Sequence, residues 1–121
     1  MPHLRIEYSE NMVGRFDGDS LAQAAADALL SSGVFNPPDS IKVRLIPVRH
    51  FRVGSGADHG FVHAELAMLS GRDKPTKQRL TEALVLAMSS CIGPGGQIVQ
   101  ITADAHDMDR EVYAKRLLPA S

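Results

Sequence analysis

The sequence predicts one α/β (α+β) domain over residues 1–121, in which two β–α–β halves of roughly 1–58 and 59–121 share a four-stranded sheet with both helices on one face. Three observations carry this. Leu4–Tyr8 alternates apolar and charged residues, the period-2 pattern of a half-buried strand. Leu21, Ala24, Ala25, Ala28 and Leu29 then recur at helical spacing. The order strand, helix, strand repeats after residue 58, and each crossover is long enough to join parallel strands in the right-handed sense.

Each element has its own signals. In the first strand Leu4, Ile6 and Tyr8 share one face, and His3, Arg5 and Glu7 the other. Asp17 to Ser20 supplies N-cap chemistry for the first helix, and Gly33 is a suitable residue just past its end. Pro37-Pro38 marks a turn. Ile41–Val48 reads as a strand whose Pro47 demands an edge or a bulge. Residues 54–60, GSGADHG, read as a loop, and Phe61–Leu69 as the third strand. Asp73 can cap a second helix with Pro75 in its first turn, and Leu80, Leu84, Val85, Met88 and Cys91 form its stripe. GPGG at 93–96 ends it, Gln97–Ala103 is the fourth strand, and the tail from Met108 is expected to form a helical turn that packs on a neighbour.

Composition narrows the function. A chain of 121 residues holds one modest core, so a symmetric oligomer is expected, the helix-free sheet face being exposed in a monomer and its apolar content favouring burial between subunits. A formal net charge of -1 gives no basic balance for nucleic acid. No apolar run is long enough for a membrane span, the N-terminus lacks a secretory apolar segment, and the single Cys91 excludes an internal disulfide framework, so a cytoplasmic location is expected.

Several constellations carry ordinary readings. Gly54-Ser-Gly56 precedes a strand rather than a helix, so it lacks the helix N-terminus of a phosphate cradle. His59 and His63 straddle a strand start, where four residues span roughly 13 Å, too far to share a metal ion. Cys91 lies on an apolar stripe without an evident base. No metal site is expected.

Pro2 is different. Removal of Met1, which a small second residue permits, would expose a secondary amine at the start of a strand, and such an amine is a general base when burial and nearby cations lower its pKa. Arg44, on the second strand, and Arg72, between the third strand and its helix, offer guanidiniums for paired hydrogen bonds to carboxylates. Together these residues suggest a small acidic substrate.

Their order resembles the tautomerase superfamily, and within it the 5-carboxymethyl-2-hydroxymuconate isomerase family. The opening Met-Pro-His with Glu7, Ser9 and Asn11, then Ile41 to Arg44, Phe61-Val62-His63, Gly71-Arg72, Lys77-Gln78 and Asp109 to Lys115 look like that family over nearly the whole chain. The chain also resembles two fused copies of the short 4-oxalocrotonate tautomerase unit. Pro2 and Val43-Arg44 are retained in the first half and Gly71-Arg72 in the second, while Phe61 and Gln100 replace the second proline and arginine. The resemblance implies a tautomerase-like fold, a homotrimer with sites near subunit boundaries, no cofactor, and an isomerase of aromatic-compound degradation. It implies Pro2 as catalytic base, with Arg44, Arg72 and Lys42 holding substrate and Phe51 lining an apolar wall. Arg15 stands farther from Pro2 than in the short unit and is left out of the site. Two alternatives remain at this level: a proline-dependent tautomerase of another oxo acid, and a non-catalytic trimer that binds a small acid or a protein partner.

Overall fold

The computed structural model describes residues 2–56 and 58–120. In chain order the elements are β1 (His3–Ser9), α1 (Gly18–Ser31), β2 (Lys42–Val48), β3 (His59–Leu69), α2 (Lys74–Cys91) and β4 (Ile98–Met108), with short 3₁₀ turns at Glu10–Met12 and Pro38–Ser40. The sheet order is β2-β1-β3-β4. Within each half the strands are parallel, β1 with β2 and β3 with β4, and the halves meet antiparallel along β1 and β3.

The capping chemistry works as the residue types dictate. Asp17 Oδ2 accepts the Ser20 amide at 2.9 Å at the start of α1, and Asp73 Oδ1 accepts the Thr76 amide at 3.0 Å at the start of α2. Each occupies an amide that the helix itself leaves unpaired. Gly33 adopts φ 73°, the left-handed conformation that ends α1 without a Cβ penalty. Pro47 is accommodated because β2 is an edge strand. The Lys42 amide donates to Pro2 O at 3.2 Å, so alternate nitrogens point to β1 and that of Pro47 points away.

Both helices pack on one face of the sheet. Leu4 and Ile6 of β1 and Val62, Leu66 and Met68 of β3 meet Leu21 and Leu29 of α1 and Leu80, Leu84 and Met88 of α2, all essentially inaccessible to solvent. Each such side chain contributes roughly 1.5–3 kcal/mol on burial.

Three sequence expectations need correction. β3 starts at His59, inside the expected loop; Gly60 permits this, since a Cβ there would meet Met12 Sδ at 2.8 Å and Ser9 Oγ at 3.1 Å. Ala57, in the same expected loop, lies outside the described residues. β4 runs on to Met108 because its pairing with β3 continues as far as Leu69. The tail forms a turn held by Val112 N to Asp109 O at 3.2 Å and then continues to residue 120 without helix or strand. The open sheet face is mixed: Ile46, Phe61 and Ile98 lie on it, Ile98 63% exposed, among paired polar groups. Arg5 pairs with Glu65 across the antiparallel seam, His63 Nδ1 meets Thr102 Oγ1 at 2.7 Å, and His106 Nε2 lies 3.2 Å from Asp104 Oδ2. Period-2 alternation sends these side chains away from the helices, and they pair across strands or, for His106 and Asp104, along β4.

Candidate active site

The topology gathers one group of residues at one end of the sheet. β1 and β2 begin there, and β3 and β4 end there. Pro2, just ahead of β1, is fully buried, and its carbonyl is held by the Lys42 amide. Lys42 curls back so that Nζ donates to Ser40 O at 2.7 Å. Ser40 Oγ itself is buried with no hydrogen-bond partner among the described residues. Met1, whose removal the sequence reading invokes, lies outside the described residues.

Arg44 projects from β2 onto the open face and is exposed. Its Nη2 lies 3.1 Å from His3 Nδ1, and on the other side of the ring His3 Nε2 lies 3.0 Å from Tyr113 Oη. Burial, followed by the charges of Arg44 and Lys42, holds the His3 imidazole below its ordinary value of 6.5. Tyr113 arrives from the tail, which crosses from β4 over β3 to reach β1. The sequence reading missed both side chains. Alternation alone puts His3 beside Pro2 on the face of Arg5, whereas a contact spanning 110 residues leaves no local pattern for Tyr113.

Arg72 is at the same end and is partly engaged in structure. Nη1 donates to Leu69 O at 3.1 Å, Nη2 reaches Val34 O at 3.4 Å, and the guanidinium lies 5.5 Å from the centre of the Phe35 ring. It therefore ties the end of β3 to the segment after α1, and it keeps N–H groups to spare, since a guanidinium has five.

One expected participant, Phe51, lies elsewhere in the chain, and so does Arg15, which the sequence reading left out of the site. Phe51 packs edge-on against Phe61, with ring centres 6.0 Å apart, at the opposite end of the sheet. Phe61 and Ala67, which is paired with His3, are six residues apart on β3, about 20 Å at strand rise, so within one chain Phe51 does not line the Pro2 end. Arg15 is also remote. Its guanidinium holds Gly93 O at 2.9 Å and Gln97 O at 2.9 Å, which makes it the clamp of the loop before β4. Among the described residues no group of three or more His, Cys, Asp or Glu side chains is arranged to hold a metal ion.

Pro2, the cations Lys42, Arg44 and Arg72, and the His3 imidazole thus lie at one end of the sheet, where the cations make the local field positive. A sequence profile of the 5-carboxymethyl-2-hydroxymuconate isomerase family matches residues 2–116. The chain belongs to this family. It is similar to a crystal structure of a 5-carboxymethyl-2-hydroxymuconate delta-isomerase, at 25% identity and TM-score 0.83, over 97% of this chain and 88% of that one. A 5-carboxymethyl-2-hydroxymuconate isomerase from Deinococcus radiodurans R1 shares the fold at 19% identity and TM-score 0.79, covering 95% and 88% of the two chains. So does a fused 4-OT protein that forms a symmetric trimer, at 21% identity and TM-score 0.66, covering 87% and 85%. No relative matches among curated proteins. As a member of the 5-carboxymethyl-2-hydroxymuconate isomerase family the chain is an isomerase with the tautomerase-like β–α–β fold.

Proposed function

We propose that this isomerase moves a proton within an unsaturated 2-hydroxy polycarboxylate of the 5-carboxymethyl-2-hydroxymuconate type, with the Pro2 nitrogen, freed by removal of Met1, as general base. The observation that carries the reading is the burial of Pro2 at the sheet end where Lys42, Arg44 and Arg72 also lie. In the reaction the nitrogen lone pair takes the proton of the 2-hydroxyl. The O–H electrons form the C2 carbonyl, the diene electrons shift along the chain, and a distant carbon takes the proton back from the prolinium nitrogen. Substrate and product are isomers, and the enzyme is restored. Arg44 and Lys42 hold carboxylate and balance the dienolate charge, and the spare N–H groups of Arg72 do the same from the β3 side. Burial and neighbouring cations disfavour prolinium, which keeps the amine available as a base.

A homotrimer completes the site in this reading, since Phe51 reaches the Pro2 end only from another copy. The trimeric 4-OT neighbour supports that assembly. The chain has no helix long and apolar enough to cross a membrane among the described residues, in keeping with the cytoplasmic location we propose. The test is an ultraviolet assay of protein that begins at Pro2, against 2-hydroxymuconate and its 5-carboxymethyl analogue. Turnover of the 5-carboxymethyl compound, with the higher kcat/KM of the two, is expected. No turnover of either substrate would defeat the reading.

A further inference from the structure

We propose that the Tyr113 hydroxyl is a substrate-binding group that donates a hydrogen bond to a carboxylate oxygen of the acidic substrate, and that Arg44 and His3 aim it. The inference deepens the isomerase reading above and rests on it.

Donor chemistry fixes the direction of the chain of contacts. A guanidinium only donates, so the 3.1 Å contact from Arg44 Nη2 requires a lone pair on His3 Nδ1. The imidazole is then neutral, with its proton on Nε2. That N–H, 3.0 Å from Tyr113 Oη, donates to the phenol oxygen. Its oxygen engaged, the phenol directs its own proton away from His3, and among the described residues no group accepts it. A chain headed by a cation polarises each donor after it, so the last O–H is a better donor than an isolated phenol.

The surroundings select an anion. Lys42 and Arg44 both act electrostatically on the His3 ring, so the field at this corner is positive. His3 directly follows Pro2 in the chain. The tail that carries Tyr113 crosses β3 to reach this point, although its other large apolar residues Val112, Leu117 and Leu118 are each more than 70% exposed. A hydrogen bond from phenol to carboxylate is charge-assisted and short. The competing role for Tyr113 is a tail fastener through its edge-on ring contact with His3, with centroids 6.2 Å apart.

The experiment uses the full chain beginning at Pro2 and trans,trans-muconate, a dicarboxylate without the reactive hydroxyl, as the binding probe. Calorimetry compares wild type, Tyr113→Phe, His3→Ala and the double variant. Tyr113→Phe keeps the ring, so Tm should hold while the muconate Kd rises at least about tenfold, the loss expected of a charge-assisted hydrogen bond. In turnover the same variant should raise KM by a similar factor and leave kcat within about twofold. The double variant should bind no more weakly than the weaker single one, because the two residues act as one chain. Ring nitrogen shifts of His3 should report a bare Nδ1 and a protonated Nε2. An unchanged Kd in Tyr113→Phe, additive losses, a protonated Nδ1, or a wild type that does not bind muconate would each overturn the proposal. Tyr113-dependent muconate binding without turnover of either hydroxymuconate would instead sink the isomerase reading alone.

Discussion

Nitrogen chemistry at residue 2 decides whether the corner can catalyse. Wild type beginning at Pro2 should be the most active form. Pro2→Ala keeps an amine, though a primary and more mobile one, and should retain partial activity; one extra residue ahead of Pro2 makes the nitrogen an amide and should reduce kcat/KM far more. Full activity in the extended form would remove proline from the mechanism. The arginines should separate by their contacts. Arg44 is exposed, so Arg44→Ala should lower kcat/KM at least about tenfold with little change in Tm. Arg72 also serves the Leu69 and Val34 carbonyls, so Arg72→Ala should lower both kcat/KM and Tm. An Arg72→Ala protein with wild-type Tm would show that this anchoring is worth nothing. Residue types and order made Pro2, Arg44 and Arg72 legible. The placement of Phe51 was not, because which end of the sheet a residue occupies depends on strand direction, and β3 runs against β1.

At the scale of elements, the caps and one loop give the clearest tests. The carboxyl of Asp17 lies below its ordinary value of 3.8 through the Ser20 amide and then the Ser20 hydroxyl; that of Asp73 does so through the Thr76 side chain and then its amide. A carboxyl depressed in the folded state binds its proton more readily when unfolded. Its stabilisation is therefore complete above the ordinary value and is lost as pH falls through the folded one. Asp17→Ala and Asp73→Ala should lower the urea midpoint at pH 7, and their gap from wild type should narrow below pH 3.8. A gap that stays as wide at pH 2 as at pH 7 would contradict the capping account. The loop before β4 is a steric test. A Cβ on Gly95 would stand 2.3 Å from Arg15 Nε, which is held in place by its bonds to Gly93 and Gln97. Gly95→Ala should destabilise wild type, and should cost less when Arg15→Ala has emptied that space. Equal losses in both backgrounds, read by thermal melts, would show that another contact makes the glycine necessary. Local patterning made all four strands and both helices readable. It stopped β4 at Ala103 because Asp104, His106 and Asp107 look like a loop, whereas β3 offers them pairing partners as far as Met108.

For the whole molecule, the expectation is a homotrimer, to be read by sedimentation equilibrium at micromolar concentration; a monomer there would leave Phe51 without a route to Pro2. The mixed open face offers assembly two kinds of contact. The ion pair of Arg5 with Glu65 lies on it beside Ile46, Phe61 and Ile98, so association through it would combine polar complementarity with apolar area. The sequence alternation contained that information, since His3, Arg5 and Glu7 already occupy the side opposite Leu4 and Ile6. The antiparallel seam between β1 and β3 has a further consequence. It relates the halves by an approximate two-fold rotation, so their first residues stand at opposite ends of the sheet. Two separate units would carry two free amines in such a pair. The covalent passage from Val48 to His59 retires the second and leaves its end of the sheet to the paired rings of Phe51 and Phe61. One polypeptide has one α-amino group, and a reagent selective for a prolyl amine can therefore modify no more than a single position per chain.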